Sequence, residues 1–301
     1  MRDVREVYAT IAPEILRTPL VELGPHTSAA GHPVLLKAEC LQPTGSFKIR
    51  GATFKIAQRG AEESVVAYST GNHAQAVARA ATRAGLPATI VMSTDTPPAK
   101  ISATERWGAE IILVEPSSAA RRETAERLAA ERKALLVPPY DDLDVIAGQA
   151  TVGLELAEDV DAAAVFVPIG GGGLLSGIAY AIKHLNKRTR VIGVEPELED
   201  DVWQSFRAGE LRTLAGPSDS RADAIKVQRI GDLTWPMIRD LADDVVTVSE
   251  EQIAAAQRLC ATEAHLVVEP SGAVGVAAAL AYAHSHATDR PVVAIASGGN
   301  G

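Results

Sequence analysis

The stretch Pro43-Thr44-Gly45-Ser46-Phe47-Lys48-Ile49-Arg50-Gly51 holds the most reactive arrangement in this sequence. Pro-Thr-Gly reads as a tight turn, Ser46 as a helix N-cap, and Lys48 as the second helical residue between two large apolar neighbours. Low dielectric and the positive end of a helix dipole both disfavour an ammonium, so the pKa of Lys48 is expected to fall. A neutral amine is the form that condenses with an aldehyde to give a Schiff base. Taken alone, the stretch also reads as a solvated lysine in a first helical turn.

Three further stretches bear on that choice. Ser69-Thr70-Gly71-Asn72-His73 joins a strand to a helix, and its small residues and backbone N–H groups suit an anion the size of an amino-acid carboxylate. In isolation it is also a plain capped turn. Pro168 to Gly177 again runs from strand to helix through Gly170, Gly171, Gly172 and Gly173, which let the backbone wrap a phosphate without interference from Cβ atoms. The same stretch loosely imitates a dinucleotide fingerprint, with Glu195 closing the next strand. Leu174 and Ser176 stand where its third glycine belongs, which leaves a nicotinamide enzyme as a background alternative. Ser297-Gly298-Gly299-Asn300 follows the last strand, and loops beyond the carboxyl ends of parallel strands bind ligands.

These stretches need a scaffold, and the remaining sequence supplies one. At 301 residues the chain holds one large or two modest domains, and 47% hydrophobic content places it among globular proteins. Aromatics are only 4%, so the core is expected to be built from Ala, Val, Leu and Ile. A net charge of −9 argues against nucleic-acid backbones and anionic membranes as partners. Cys40 and Cys260 form no CxxC pair and suit a reducing cytoplasm. The charged start Met1-Arg2-Asp3-Val4-Arg5-Glu6 does not read as a signal peptide. Ala162 to Ile182 is twenty-one residues without a charge, but its proline and four glycines read as buried strand, turn and buried helix, not a membrane span.

Apolar runs at 34–38, 65–68, 88–92, 111–114, 135–137, 163–167, 191–194, 245–248 and 292–296 read as strands. Between them, helical patterns cover 74–84, 98–107, 119–132, 143–158, 174–184, 250–263 and 272–282, with a lead-in helix around Val7–Leu16 and a looser section at 196–242. Strands that are apolar throughout and alternate with helices indicate α/β architecture with parallel-rich sheets covered on both faces. The section 64–137 alternates on its own, and Pro138-Pro139 makes a plausible boundary. Two domains are expected: a larger one from 1–54 and 141–301, and a smaller one from 60–138 inserted into it.

The four stretches, together with Ile146-Ala147-Gly148-Gln149 and Glu269-Pro270-Ser271-Gly272-Ala273, occur in the order found in one family. The sequence resembles the fold-type II pyridoxal-phosphate enzymes, in the branch of serine/threonine dehydratases and serine racemases, along nearly its whole length. The resemblance implies a tryptophan-synthase-β-like fold, a homodimer and pyridoxal 5′-phosphate bound covalently to Lys48. Phe47 would pack beside the cofactor ring, Asn72 would bond its hydroxyl, Gly170 to Gly173 would grip the phosphate, and Ser297 would bond the pyridine nitrogen. Ser69, Thr70, Asn72 and His73 would face the substrate carboxylate, with Arg121 approaching from a helix on which it also reads as a surface residue. In the acidic run after Glu195, that residue, Asp201 and the carbonyl of Glu199 would hold Mg²⁺, Ca²⁺ or Mn²⁺, although a solvated acidic loop reads equally well.

The implied activity is α,β-elimination from a β-hydroxy-α-amino acid, with serine or threonine as default substrate. Alternatives are racemisation of serine, dehydration of 3-hydroxyaspartate or a hydroxyectoine-derived compound, β-replacement, and a non-catalytic scaffold. A serine beside the pyridine nitrogen makes a weaker electron sink than an aspartate, which favours quick elimination. Thr70 stands where racemases carry serine and many dehydratases alanine. Ala222-Asp223-Ala224 replaces the usual Ala-Asp-Gly. The chain stops just after its Ser-Gly-Gly-Asn motif, so no C-terminal effector domain is expected.

Overall fold

The computed structural model describes residues 2–24, 33–186, 188–216, 218–288 and 290–300. Its apolar runs become strands in two sheets, most of them buried, with the run at 111–114 half-exposed at a sheet edge. The larger has six strands in the order β1 (Leu20–Glu22), β2 (Val34–Lys37), β10 (Val292–Ile295), β7 (Ala164–Pro168), β8 (Arg190–Pro196) and β9 (Asp244–Val248). Neighbours are parallel except β1, which pairs antiparallel with β2. The smaller sheet is parallel throughout, in the order β5 (Glu110–Val114), β4 (Ala88–Ser93), β3 (Val65–Tyr68) and β6 (Leu135–Val137). Its four strands all fall between β2 and β7 in the chain.

Parallel strands need helices on both faces, because neither face can be left in water. Helices α10 (Glu250–Thr262) and α11 (Pro270–Ser285) close one face of the larger sheet, and α7 (Gly173–Leu185) and α9 (Thr234–Leu241) the other. In the smaller sheet, α2 (Lys48–Ala57) and α3 (Asn72–Arg83), with α4 (Pro98–Glu105) beside α3, cover one face and α5 (Ser118–Arg132) the opposite one. The cores are overwhelmingly Ala, Val, Leu and Ile; Phe166, at 2% exposure, is a rare aromatic among them.

Strand order decides where a ligand can sit. In the larger sheet the chain steps outward from β7 through β8 to β9, then returns to β10 on the other side of β7. In the smaller sheet it steps from β3 to β5, then returns to β6 beside β3. Each reversal leaves a crevice at the carboxyl ends of the strands. The loops flanking the two crevices are the glycine turn after β7, Ser297–Asn300 after β10, Ser69–His73 after β3 and Pro138–Asp142 after β6.

Several expectations need correction. The lead-in helix is α1 (Val4–Ile11), capped by the Asp3 side chain; it gives way to a 3-10 turn at Ala12–Glu14 because Pro13 cannot donate to the helical ladder. Strand β1, only three residues long, is not among the strands expected from apolar runs. The section 196–242 is more ordered than expected, holding α8 (Asp201–Ala208) and α9. Lys48 is the first helical residue, not the second. Ser46 does not cap α2: it forms a bridge with Gly298, and its buried hydroxyl has no partner. The uncharged stretch 162–182 is β7, the glycine turn and α7; among the described residues no helix is long and apolar enough to cross a membrane.

Candidate active site

The turn before Lys48 is fixed by backbone. Gly45 takes a φ of +70°, which glycine adopts without strain, and its N–H closes a turn on the Gln42 carbonyl at 2.7 Å. Phe47 N–H then donates to the Ser297 carbonyl at 3.1 Å, and Gly299 N–H to the Gly45 carbonyl at 2.9 Å. The lysine turn and the segment after β10 are thereby one cross-linked unit. Below it lies a buried charge network. Arg50, fully buried, bonds Glu39 at 2.7 Å and Glu155 at 2.7 Å, and buried Lys37 reaches Glu155 at 2.6 Å. Two cations face two carboxylates, so the cluster is neutral and ties the start of α2 to β2 and to α6 (Leu143–Asp159).

Lys48 Nζ donates to the Pro139 carbonyl at 2.6 Å and lies 5.2 Å from the centre of the Phe47 ring. Lys48 is half-buried where it lines the cleft, and desolvation pushes its pKa down from 10.5 to about 8. Burial, as expected, is the cause. The cleft it faces has a volume of about 940 Å³ and takes in Phe47, Ser69, Thr70, Asn72, His73, Arg121, Gly170 to Gly173, Glu199 and Ser297 as well. Glu195 and Asp201 do not line it.

The glycine turn is shaped by its neighbours. A Cβ at Gly171 would fall 2.1 Å from the Tyr140 ring, and one at Gly170 would fall 3.0 Å from Ile225. Gly172 has a φ of +89° and begins α7 with no side-chain cap. Thr234 Oγ1 donates to the Gly171 carbonyl at 2.8 Å, and Asp141 accepts from the backbone N–H groups of Asp232, Leu233 and Thr234 at the start of α9. Asp141 and Thr234 thus brace the turn, and Tyr140, itself lining the cleft, packs its ring on Gly171. Nothing in the sequence marks them beyond the position of Tyr140 and Asp141 after the double proline.

On the small-sheet side the residues are less tied down. Ser69 Oγ accepts from Gly71 N–H at 3.2 Å, and the Thr70 hydroxyl makes no hydrogen bond among the described residues. Arg121 donates to the hydroxyls of Ser93 and Ser118; it is half-buried, which lowers its pKa. From the surface helix α5 its side chain lines the cleft. Lys100 pairs with Asp223 across the cleft mouth. Ala224 sits in a 3-10 turn without a positive φ, its N–H bonded to Ser271 Oγ, so alanine fits there unstrained.

His73 departs from its expected role. Its Nε2 meets the Val137 carbonyl at 2.9 Å and must donate to it, which leaves buried Nδ1 as a lone-pair acceptor with no partner. Burial, with Lys48 nearby, pushes the ring pKa down to about 3. A neutral ring offering only a lone pair cannot hold a carboxylate, so the side chain is withdrawn from that task.

The acidic residues split likewise. Glu195 accepts from the backbone N–H groups of Val202 and Trp203, and Asp201 from that of Ile230, so both carboxylates cap backbone. Burial raises the pKa of both, Asp201 to about 7. Buried Glu199 has an oxygen without a partner. Among the described residues no group of three or more His, Cys, Asp or Glu side chains is placed to hold a metal ion.

The family pattern of pyridoxal-phosphate dependent enzymes matches residues 11–298. The chain belongs to this family. It is similar to serine racemase of Oryza sativa subsp. indica, with 41% identity over 93% of this chain and 83% of that protein. It is 42% identical to L-threonine ammonia-lyase of Thermotoga maritima, over 100% of this chain and 75% of that one. Among solved structures, maize serine racemase superposes with a TM-score of 0.92 at 39% identity, covering 99% of this chain and 92% of the other.

The residues present fit the family's cofactor. A desolvated amine, a turn whose glycines leave no room for a Cβ, an uncapped helix start and a buried serine on the same cleft supply an aldehyde partner, a phosphate seat and a hydroxyl for a ring nitrogen. The carboxylate partner that would hold a pyridine nitrogen charged is not at Ser297.

Proposed function

We propose that this pyridoxal-phosphate enzyme is an ammonia-lyase that converts a β-hydroxy-α-amino acid, L-threonine or L-serine, to a 2-oxo acid and ammonia. The observation that carries the reading is the joint placement of neutral-prone Lys48, the glycine turn and Ser297 on one cleft. Bound there, the cofactor supplies an electron sink for the bond that breaks at Cα. Lys48 would hold it, and the same amine is the base placed on the cleft to accept the Cα proton. The turn at Ser69–Gly71 offers the hydroxyls of Ser69 and Thr70 and the Thr70 N–H to the substrate carboxylate, since the N–H groups of Ser69 and Gly71 already donate to the Val91 carbonyl and Ser69 Oγ. Loss of the β-hydroxyl as water, return of one water and release of ammonia complete the balance.

Inversion at Cα is a second reading, supported by the unpartnered hydroxyl of Thr70 on the cleft. It requires a proton donor on the face opposite Lys48. A panel of β-hydroxy amino acids, including 3-hydroxyaspartate, assayed for 2-oxo acid release and for inversion, separates the readings. Elimination faster than inversion with L-threonine or L-serine is the expected outcome; inversion as the faster process would overturn the order proposed.

The same reading includes a divalent cation held by the carboxylates of Glu195 and Asp201, once ionised, and by the carbonyl of Glu199, an all-oxygen set of the kind Mg²⁺ or Ca²⁺ takes. Mg²⁺ should raise the melting temperature and Asp201→Asn should remove the response; a melting temperature indifferent to Mg²⁺ and EDTA would exclude the site. A homodimer working in the cytoplasm completes the proposal, in keeping with two buried, unbridged cysteines. Light scattering of the purified protein at half or less of the dimer mass would contradict it.

A further inference from the structure

Asn72 is the first residue of α3, and its side chain is 8% exposed at the inner edge of the cleft. Its amide is gripped at both ends. Asn300 Nδ2 donates to the Asn72 oxygen at 2.9 Å, and Asn72 Nδ2 donates to the Glu269 carboxylate at 2.5 Å. The direction of these bonds is forced from outside. The Thr44 carbonyl can only accept, and it takes a bond from Asn300 Nδ2 at 2.7 Å. Asn300 must therefore turn its nitrogen toward Thr44 and Asn72, which obliges Asn72 to present oxygen there and nitrogen to Glu269.

Room for this clamp is built into two motifs. A Cβ at Gly298 would fall 2.3 Å from Glu269 Oε1 and 3.0 Å from Asn72 Nδ2. One at Gly45 would fall 2.3 Å from the Asn300 side-chain oxygen. Thr44 precedes the lysine helix, Asn300 follows β10, Glu269 precedes α11, and Asn72 follows β3. The clamp thus joins both sheets at the site.

An amide nitrogen has two hydrogens, and Glu269 takes one. The other remains for a single ligand, so the Asn72 side chain cannot serve both the cofactor ring and the substrate carboxylate. We propose that Glu269 and Asn300 are positioning residues that aim the remaining N–H of Asn72 at the ring oxygen of the cofactor. The proposal rests on the reading that pyridoxal phosphate binds at Lys48. Released from the clamp, Asn72 can flip and turn its oxygen to the ring oxygen, replacing an attraction by a repulsion.

The test measures the dissociation constant of pyridoxal phosphate and the position of the visible band in parent, Asn72→Ala, Glu269→Ala, Asn300→Ala and the double variant Asn72→Ala/Glu269→Ala. Each single variant should weaken cofactor retention by about five- to tenfold and shift the band the same way. The double variant should be no worse than Asn72→Ala, because the clamp acts only through that amide. Glu269 accepts from the Asn300 backbone N–H as well as from Asn72, so Glu269→Gln keeps the shape but sets an N–H against one of these two donors, and should reproduce the shift at near-parent melting temperature. Multiplying losses in the double variant, or a parent-like band and affinity in Glu269→Gln and Asn300→Ala, would overturn the proposal. A parent protein that forms no visible chromophore would instead bring down the cofactor reading and this proposal with it.

Discussion

Around the cofactor seat, Lys48 and Ser297 stand on backbone that is cross-linked to itself and backed by buried charge, and the glycine turn is braced by Asp141 and Thr234. On the four-stranded side, Ser69, Thr70 and Arg121 are partly exposed and hold mainly to hydroxyls or to nothing. The contrast separates two tasks. A cofactor is the same in every turnover and rewards a seat organised in advance. Substrates differ among related enzymes, and a wall of hydroxyls and long side chains can change without disturbing that seat. Asn72 belongs to both regions, since its helix is on the small-sheet side while Glu269 and Asn300 clamp it from the other.

The contrast breaks most plainly if the buried charges prove dispensable. Arg50→Met leaves Glu39 and Glu155 facing Lys37 alone, and should destabilise the protein by about 3–5 kcal/mol in denaturant titration. A loss below about 1 kcal/mol would mean the network does not hold the seat. Next in size is Gly171→Ala, which sets a methyl against the Tyr140 ring. Overpacking of this kind costs about 1–3 kcal/mol, so cofactor affinity should fall by about tenfold or more. Adding Tyr140→Ala should recover part of that loss; no recovery would mean the ring is not what shapes the turn.

Changes in the opposite wall should alter which reaction runs, not whether the cofactor stays. Thr70→Ala should keep 2-oxo acid formation within a few-fold, about 1 kcal/mol or less, while removing inversion. Thr70→Ser should raise inversion, because the methyl group that restricts the hydroxyl is gone. Loss of both activities together in Thr70→Ala would show that Thr70 positions the substrate and is no second-face donor.

The seat was the more legible region because backbone shape leaves its mark on residue type. Gly45 and Gly172 sit at positive φ, where other residues are strained, and the motifs around them stand out in the sequence. Among the described residues, alternating apolar runs likewise announced nine of the strands and missed the three-residue β1. The supports behind the seat left no such mark. Lys37, Glu39 and Glu155 look like ordinary surface charges until the fold buries them against Arg50. Asp141 and Thr234 lie far apart in the chain, and only tertiary packing reveals that they brace one turn. Ser46 and His73 misled for a related reason: each has the right chemistry for its expected role, and the backbone turns it elsewhere.

The most direct test is borohydride reduction of the protein loaded with pyridoxal phosphate, followed by peptide mapping, with cofactor capture by the apo-protein timed against pH. The reduced adduct should map to Lys48. Because burial sets the Lys48 pKa at about 8, the capture rate should climb about tenfold per pH unit below that value and level off above it. An adduct on another lysine, or a rate still climbing toward pH 10.5 as for a solvated amine, would contradict the account.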